Sequence, residues 1–265
     1  MKPIGVFDSG VGGLTLVRAL KRKLPDESVL FLGDTARLPY GTKSSDTISR
    51  YTQRNIDFLE SQGVRAVVIA CNTASALALP RISHKLPLWG VVEPGAARAA
   101  AVAKESVGIL ATESTVLSGS YERAILRRRP DLEVVSQACP LFVPLVEEGW
   151  LDDSVTLDIA ERYVAPLIEQ NVDTVVLGCT HYPLLEPVLR ELFLEEVEFV
   201  DSAEVTATEV AKSLPAGESA TTETAETLET PSTDRFIVTD ASERFERLAH
   251  RILEGHWGAL ELIDL

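Results

Sequence analysis

The sequence has no run of about 18 apolar residues of the kind that could cross a membrane, and no apolar signal stretch near its beginning. The first residues, Met-Lys-Pro-Ile-Gly-Val-Phe-Asp, include a charge and a proline instead. We therefore expect no association with the membrane and a cytoplasmic protein.

Cysteine and positive charge are also scarce. The 265 residues include three cysteines without Cys-x-x-Cys spacing, which favours free thiols in a reducing compartment. There are 25 Lys and Arg against 40 Asp and Glu, so the formal net charge is −15. Binding to phosphate backbones requires a basic surface, and we expect no nucleic-acid partner.

Apolar runs and helical patterns alternate in the first third of the chain. Runs at 4–7, 28–32 and 66–70 predict strands, and the spacing at 14–24 and 46–62 predicts helices. This alternation is typical of a parallel sheet covered by helices. Ligands bind at the carboxyl ends of strands in such sheets. The polar residues at the predicted strand ends are Asp8, Asp34 and Cys71.

An internal repeat gives the domain organisation. Residues 62–73 match 170–181 at an offset of 108 (179 minus 71), and this aligns Cys71 with Cys179. A weaker match at an offset of 103 aligns 4–9 with 107–112. The repeat predicts two similar α/β domains with parallel central sheets, related by a pseudo-twofold axis, with the active site in the cleft between them.

We predict the domains as 1–94 plus 206–265 and 95–205. Residues 215–234 are rich in Ala, Glu and Thr and contain a single Leu, so we expect a flexible linker there. A further strand at 236–239 and a helix at 243–253 would then complete the first sheet, which makes the first domain discontinuous.

Two cysteines facing each other suit one demanding reaction. Racemising an amino acid requires a base on each face of the α-carbon, one ionised and one protonated. A thiol has an ordinary pKa of about 8.5 that its surroundings can move either way, so Cys71 and Cys179 could supply both forms. The alternative is that they are buried core cysteines, which is our interpretation of Cys139.

Polar residues follow each cysteine of the pair. Asn72-Thr73 and Thr180-His181 stand where a strand is predicted to turn into a helix, so they could bind a substrate carboxylate or simply cap the helix. Asp8 and His181 are candidates for tuning the thiols. Asp8 could instead cap the following helix, and His181 could be a buried structural histidine.

Six motifs together resemble the bacterial glutamate racemase family, over about residues 4 to 202. They are Asp8-Ser9-Gly-Val-Gly-Gly-Leu-Thr, Leu38-Pro-Tyr40-Gly41, Cys71-Asn72-Thr73-Ala-Ser, Glu93-Pro-Gly, Pro144-Leu-Val-Glu147-Glu148-Gly and Gly178-Cys179-Thr180-His181-Tyr-Pro-Leu. The resemblance implies a two-domain racemase that needs no pyridoxal phosphate, other cofactor or metal and supplies D-glutamate for peptidoglycan.

The resemblance also implies roles for individual residues. Cys71 would be the base toward D-glutamate and Cys179 the base toward L-glutamate, assisted by Asp8 and His181 respectively. Contacts to substrate would come from Asp8, Ser9, Tyr40, Gly41, Asn72, Thr73, Thr180 and His181. The family also has an acidic residue at the site, for which we favour Glu147 over Glu148.

Other functions remain open at this point. Gly10-x-Gly12-Gly13 imitates a dinucleotide-binding turn, but the third glycine of that fingerprint would fall on Thr15. Cys71, Cys179 and His181 could be zinc ligands in a hydrolase. Within the racemases, aspartate is the rival substrate. The sequence leaves a homodimer open.

Overall fold

A computed structural model of the chain describes residues 2–193, 196–214, 234–241, 243–254, 258 and 260–265. In this part of the chain, two parallel sheets are covered by helices. The strands are β1 Ile4–Asp8, β2 Val29–Gly33, β3 Ala66–Ile69, β4 Leu88–Gly90, β5 Ser106–Ala111, β6 Glu133–Ala138, β7 Thr174–Gly178, β8 Glu198–Asp201, β9 Arg235–Val238 and β10 Leu260–Leu262.

The helices alternate with these strands through most of the chain. They are α1 Leu14–Lys23, α2 Ser45–Ser61, α3 Asn72–Leu77, α4 Val92–Val102, α5 Glu113–Ser118, α6 Ser120–Leu126, α7 Phe142–Glu148, α8 Ser154–Glu169, α9 Glu186–Leu192, α10 Ser202–Ser213 and α11 Glu243–Ile252. Short 3₁₀ segments lie at Thr35–Arg37, Tyr40–Thr42, Leu79–Arg81 and Tyr182–Leu185.

The order β2-β1-β3-β4 in the first sheet is repeated by the four described strands of the second. Among the described residues, the first sheet has the order β10-β9-β2-β1-β3-β4 and the second the order β6-β5-β7-β8. Ile4 pairs with Ala66 in the first sheet, and Val107 pairs with Thr174 in the second. These pairs are related by the same offsets of 103 and 108 that the sequence repeat has. The prediction of two similar parallel-sheet domains is therefore confirmed.

The end of the chain returns to the first sheet. β9 pairs with β2 and β10 pairs with β9, so both strands extend a sheet begun by the first residues. The predicted boundaries at 94–95 and 205–206 fall within α4 and α10, which pack against each other between the sheets. The division into domains therefore stays a prediction, and residues 215–233 of the predicted linker lie outside the described residues.

Helix formation follows the apolar spacing. In α11 the buried residues are Phe245, Leu248, Ala249 and Ile252, which lie on one helical face and join the core beneath α1. The side chain of Ser44 caps α2 by accepting the Thr47 N–H at 3.4 Å. The central strands β1, β3 and β7 are buried throughout, because helices cover both faces of each sheet.

Within the described ranges, no helix combines the length and apolar character needed to span a bilayer.

Candidate active site

The first cysteine lies where β3 passes into α3. Cys71 is the N-cap residue of α3, and its Sγ accepts the Ala74 N–H at 3.4 Å. The Ser9 hydroxyl lies 3.4 Å from the same sulfur. Burial and the negative charge of Asp8 raise the pKa of Cys71 to about 12, although the contacts from Ser9 and Ala74 act in the opposite direction.

Asp8 ends β1, the neighbouring strand. Its Oδ2 accepts the Gly10 N–H at 3.0 Å, and Oδ1 has no hydrogen-bond partner in the described part of the chain. Burial raises the pKa of Asp8, and the nearby His181 opposes this. Asp8 is completely buried and does not line the cavity described below. Its position therefore suits an electrostatic influence on Cys71 better than direct contact with a substrate.

The second cysteine lies at the matching place in the second sheet. Cys179 follows β7, and its Sγ is 3.9 Å from Nδ1 of His181. On the other side of the ring, Nε2 is 3.6 Å from Oε1 of Glu147. Burial lowers the pKa of His181, but Cys179 and Glu147 outweigh it and raise that pKa to about 10. The imidazole thus lies between the sulfur of Cys179 and the carboxylate of Glu147, and both neighbours favour its charged form.

The polypeptide after Cys179 differs from the prediction of a helix. Thr180 and His181 form a turn that leads into the 3₁₀ segment Tyr182–Leu185, and α9 begins only at Glu186.

Both cysteines line one cavity of about 40 Å³. A wider cavity of about 380 Å³ adjoins it and shares part of its wall, including Gly41, Val143 and Glu147. Most of the predicted site residues meet in the smaller cavity. The predicted residues that line it are Ser9, Tyr40, Gly41, Cys71, Asn72, Thr73, Glu147, Cys179, Thr180 and His181.

Two of these side chains are already engaged elsewhere. The Tyr40 hydroxyl donates to the buried carboxylate of Asp34, with Asn55 beside it. The Asn72 amide accepts from Tyr121 at 2.6 Å and donates to Ser202 at 3.4 Å. At Tyr40 and Asn72, therefore, the backbone is better placed than the side-chain polar group to meet a ligand.

The cavity wall also contains residues that the sequence analysis missed as site residues: Leu38, Pro39, Thr112 and Val143. The Thr112 hydroxyl lies 2.9 Å from that of Thr73, and Thr115 lies 3.3 Å from Thr73. Thr112 could have been predicted as a site residue, because the repeat offset of 103 aligns it with Ser9 (112 minus 9). No repeat or motif in the sequence indicates that Val143 lines the cavity.

The two glutamates of the Glu147-Glu148 pair point to different places. Glu147 lines the cavity and contacts His181, whereas the side chain of Glu148 is 47% exposed. His181 and Arg244 lower the pKa of Glu147 against the effect of burial, which is the largest single influence and raises it. Glu147 is thus the carboxylate that reaches the site.

The glycine-rich turn serves packing between the two halves. A Cβ on Gly12 would lie 2.3 Å from Thr180 Oγ1 and 2.6 Å from His181 Nδ1. A Cβ on Gly13 would lie 2.3 Å from the Cβ of Asp8. Close packing therefore accounts for glycine at both positions, and a bound nucleotide is not needed to explain them. Among the described residues, no three His, Cys, Asp or Glu side chains are placed to hold a metal ion.

The comparison with known proteins agrees with this geometry. Residues 13–210 match the model of the Asp/Glu/Hydantoin racemase family. A glutamate racemase of Geobacter metallireducens is 47% identical over 271 residues, covering 100% of this chain and 97% of the relative. The crystal structure of a Francisella tularensis glutamate racemase in complex with D-glutamate superposes with a TM-score of 0.89 at 33% identity, covering 99% of this chain and 97% of that one.

An aspartate racemase of Picrophilus torridus is more distant. It has a TM-score of 0.60 at 21% identity and covers 80% of this chain and 94% of its own, so the likeness concerns the fold alone. The match to the family model spans most of the residues that build both sheets and both cysteine motifs. This chain belongs to the Asp/Glu/Hydantoin racemase family.

Proposed function

We propose that this chain is a cofactor-independent glutamate racemase that moves the α-proton of glutamate between Cys71 and Cys179. The observation that carries the proposal is the position of the two thiols. They follow matching strands, β3 and β7, of two sheets with the same topology, and they line one cavity. A substrate held between them would present one face of its α-carbon to each sulfur.

The surroundings of the thiols suggest their resting states. The raised pKa of Cys71 keeps it protonated near neutral pH. Beside Cys179 lies His181, whose raised pKa keeps it cationic and able to pair with a thiolate. In this state Cys179 removes the α-proton of L-glutamate, and Cys71 delivers its own proton to the opposite face. The reverse assignment, with Cys71 as base, serves D-glutamate.

Removing the α-proton places extra negative charge on the substrate carboxylate, which must be stabilised by hydrogen-bond donors. The cavity supplies hydroxyls from Ser9, Thr73 and Thr180, and backbone N–H groups at the turns after the strands. Thr73, Thr180 and both cysteines are buried, and contacts removed from water are stronger. No electron-sink cofactor enters the proposal.

Glutamate is the substrate we favour over aspartate. The relatives that align with nearly the whole chain are glutamate racemases, whereas the aspartate racemase shares only the fold. The substrate and product are then small molecules, and a cytoplasmic enzyme of this kind would supply D-glutamate for peptidoglycan.

The test uses the purified protein, free of metal and of pyridoxal phosphate, with L-glutamate in deuterated water. We expect loss of optical rotation with deuterium entering the α-position. Cys71→Ala and Cys179→Ala should each lower the rate by roughly a thousandfold or more, since each removes one of the two proton carriers.

Aspartate is assayed in parallel. Turnover of aspartate but not glutamate would identify aspartate as the substrate, and the proposed reaction between two thiols would still hold. Wild-type turnover that survives in either alanine variant would refute the roles proposed for Cys71 and Cys179.

A further inference from the structure

The last helix of the chain contacts the second half beside the active site. α11 buries Phe245 and Leu248 in the core of the first half and packs against α7. Arg244, on its exposed side, forms ion pairs with both glutamates at the end of α7. Its Nη1 lies 3.6 Å from Oε2 of Glu147, and its Nη2 contacts Oε1 of Glu148.

Glu147 uses its two oxygens for different partners. Oε2 faces Arg244, while Oε1 lies 3.6 Å from Nε2 of His181. On the far side of the imidazole, Nδ1 is 3.9 Å from the sulfur of Cys179. A guanidinium, a carboxylate, an imidazole and a thiol therefore follow one another from the surface to the reacting sulfur, and neighbours in this series can carry opposite charges.

Glu147 borders open space on several sides, so its carboxylate needs a partner to fix its orientation. Glu147 lines the small cavity and also two wider cavities, of about 330 Å³ and about 380 Å³. Arg244 lines both of the wider cavities. Without the guanidinium, the carboxylate would have room to turn away from His181 toward water.

We propose that Arg244 is a positioning residue for the racemisation: it holds one oxygen of Glu147 so that the other stays on His181, and thereby keeps the imidazole in place beside the sulfur of Cys179. The inference rests on the proposed function, because the place of the imidazole matters only if Cys179 is a base. It extends that function to a residue remote from the cysteine motifs, at the end of the chain that completes the first sheet.

The charges along this series act in one direction. Loss of Arg244 frees Glu147, whose carboxylate favours the charged form of His181, and a less charged imidazole makes the neighbouring thiol of Cys179 less reactive. Among the described residues, the other titratable groups that act on this series are Asp8 on His181, Glu148 on Arg244, and Cys71, Tyr121, Cys139 and Tyr182 around Cys179.

The test measures the alkylation rate of each cysteine and needs no substrate. Iodoacetamide alkylation of Cys179 and Cys71 is followed by peptide mass spectrometry, from about pH 6 to pH 9, in the full-length wild type, Arg244→Gln, Arg244→Lys and Arg247→Gln. Arg247 is an exposed arginine one turn along the same helix, so Arg247→Gln makes the same change of charge at a different place.

We expect Arg244→Gln to slow alkylation of Cys179 near neutral pH roughly threefold to tenfold. Arg244→Lys should recover most of the rate, and Arg247→Gln should match the wild type. Cys71 should respond less than Cys179 in every variant. In a Glu147→Gln background, Arg244→Gln should add little, because the proposed coupling passes through Glu147.

Equal rates at Cys179 in Arg244→Gln and Arg247→Gln would overturn the proposal. An undiminished effect in the Glu147→Gln background would also do so, as would an equal change at Cys71, which would indicate general loosening. Glutamate racemisation by the wild type is measured alongside. Its absence would refute the proposed function, while the alkylation rates would still decide whether Arg244 acts on Cys179.

Discussion

The two halves place the same reactive group in different electrostatic surroundings. In the first half, Asp8 ends the central strand β1 beside Cys71, and Ala111 holds the matching place at the end of β5. In the second half, Cys179 is followed two residues later by His181, where the first half has Thr73. The shared backbone thus fixes where the thiols lie, and a few neighbours decide their charge.

One contact between the halves shows how the difference is accommodated. The repeat offset of 108 aligns His181 with Thr73 (181 minus 73). Thr73 contacts Thr115 of the other half through hydroxyls 3.3 Å apart. His181 instead lies against Gly12, where an added Cβ would be 2.6 Å from Nδ1 of the ring. The glycine thus leaves room for the imidazole.

The largest effect in this comparison should come from removing the imidazole that distinguishes the second half from the first. His181→Asn removes the cation beside Cys179, and we expect kcat/KM to fall roughly 100-fold. The equilibrium constant between mirror-image substrates is unity, so the fall must be equal from L- and from D-glutamate. Polarimetry from each enantiomer measures it, with the exposed His84→Asn as the control. A loss no greater than that of His84→Asn would contradict the role of His181.

The difference between the thiols should also be visible without turnover. Because burial and Asp8 raise the pKa of Cys71 to about 12, its alkylation at about pH 8 should be at least roughly tenfold slower than that of Cys179 and should still be rising at pH 10. Asp8→Asn should speed the alkylation of Cys71 and leave Cys179 less affected. Equal rates at the two cysteines in the wild type would remove the proposed asymmetry.

Filling the space beside His181 should cost stability. Gly12→Ala places a methyl group against Thr180 and His181, and we expect a loss of about 1–3 kcal/mol in the free energy of unfolding, together with reduced racemisation. Gly63→Ala is the control. Gly63 has φ of 77° with no atom within 4 Å of an added Cβ, so that change should cost about 1 kcal/mol without altering catalysis. Full activity in Gly12→Ala would contradict the packing argument.

The smallest expected effect is a difference in how the stability of the wild type and of His181→Asn depends on pH. The pKa of His181 rises from 6.5 to about 10 on folding, so its stabilising contribution is complete below about pH 6.5 and is lost as the pH rises through about 10. Between pH 7 and pH 10, the free energy of unfolding should therefore fall more steeply in the wild type than in His181→Asn. Parallel curves from urea titrations would show that the histidine is not charged in the folded protein.

Much of the fold followed from local patterns. The run at 4–7 and the helix spacing at 46–62 correspond to β1 and α2, with ends shifted by one residue. Such elements can be predicted because the pattern of apolar and polar residues that forms them lies within a short stretch of sequence. The repeat added the long-range information, since two copies of one strand in matching sheets predict that their ends face one cleft.

What the sequence did not predict depends on how distant segments pack. The hydroxyl of Tyr40 is directed to Asp34, and the amide of Asn72 to Tyr121, and neither preference is visible in the motifs that contain them. Arg244 reaches Glu147 across nearly 100 positions of sequence (244 minus 147). The contacts of Asn72 and Arg244 join the two halves and form only once these have docked, so periodicity and short motifs do not encode them.

The return of β9 and β10 to the first sheet has a consequence for synthesis on the ribosome. The second sheet has all four of its described strands once Asp201 has emerged, whereas the first must wait for Leu262. The first sheet is thus completed after the second, and among the described strands β2 keeps an unpaired edge until β9 has emerged. Arg244 follows β9, so the contact it makes with Glu147 forms only after the strands of the second sheet are present.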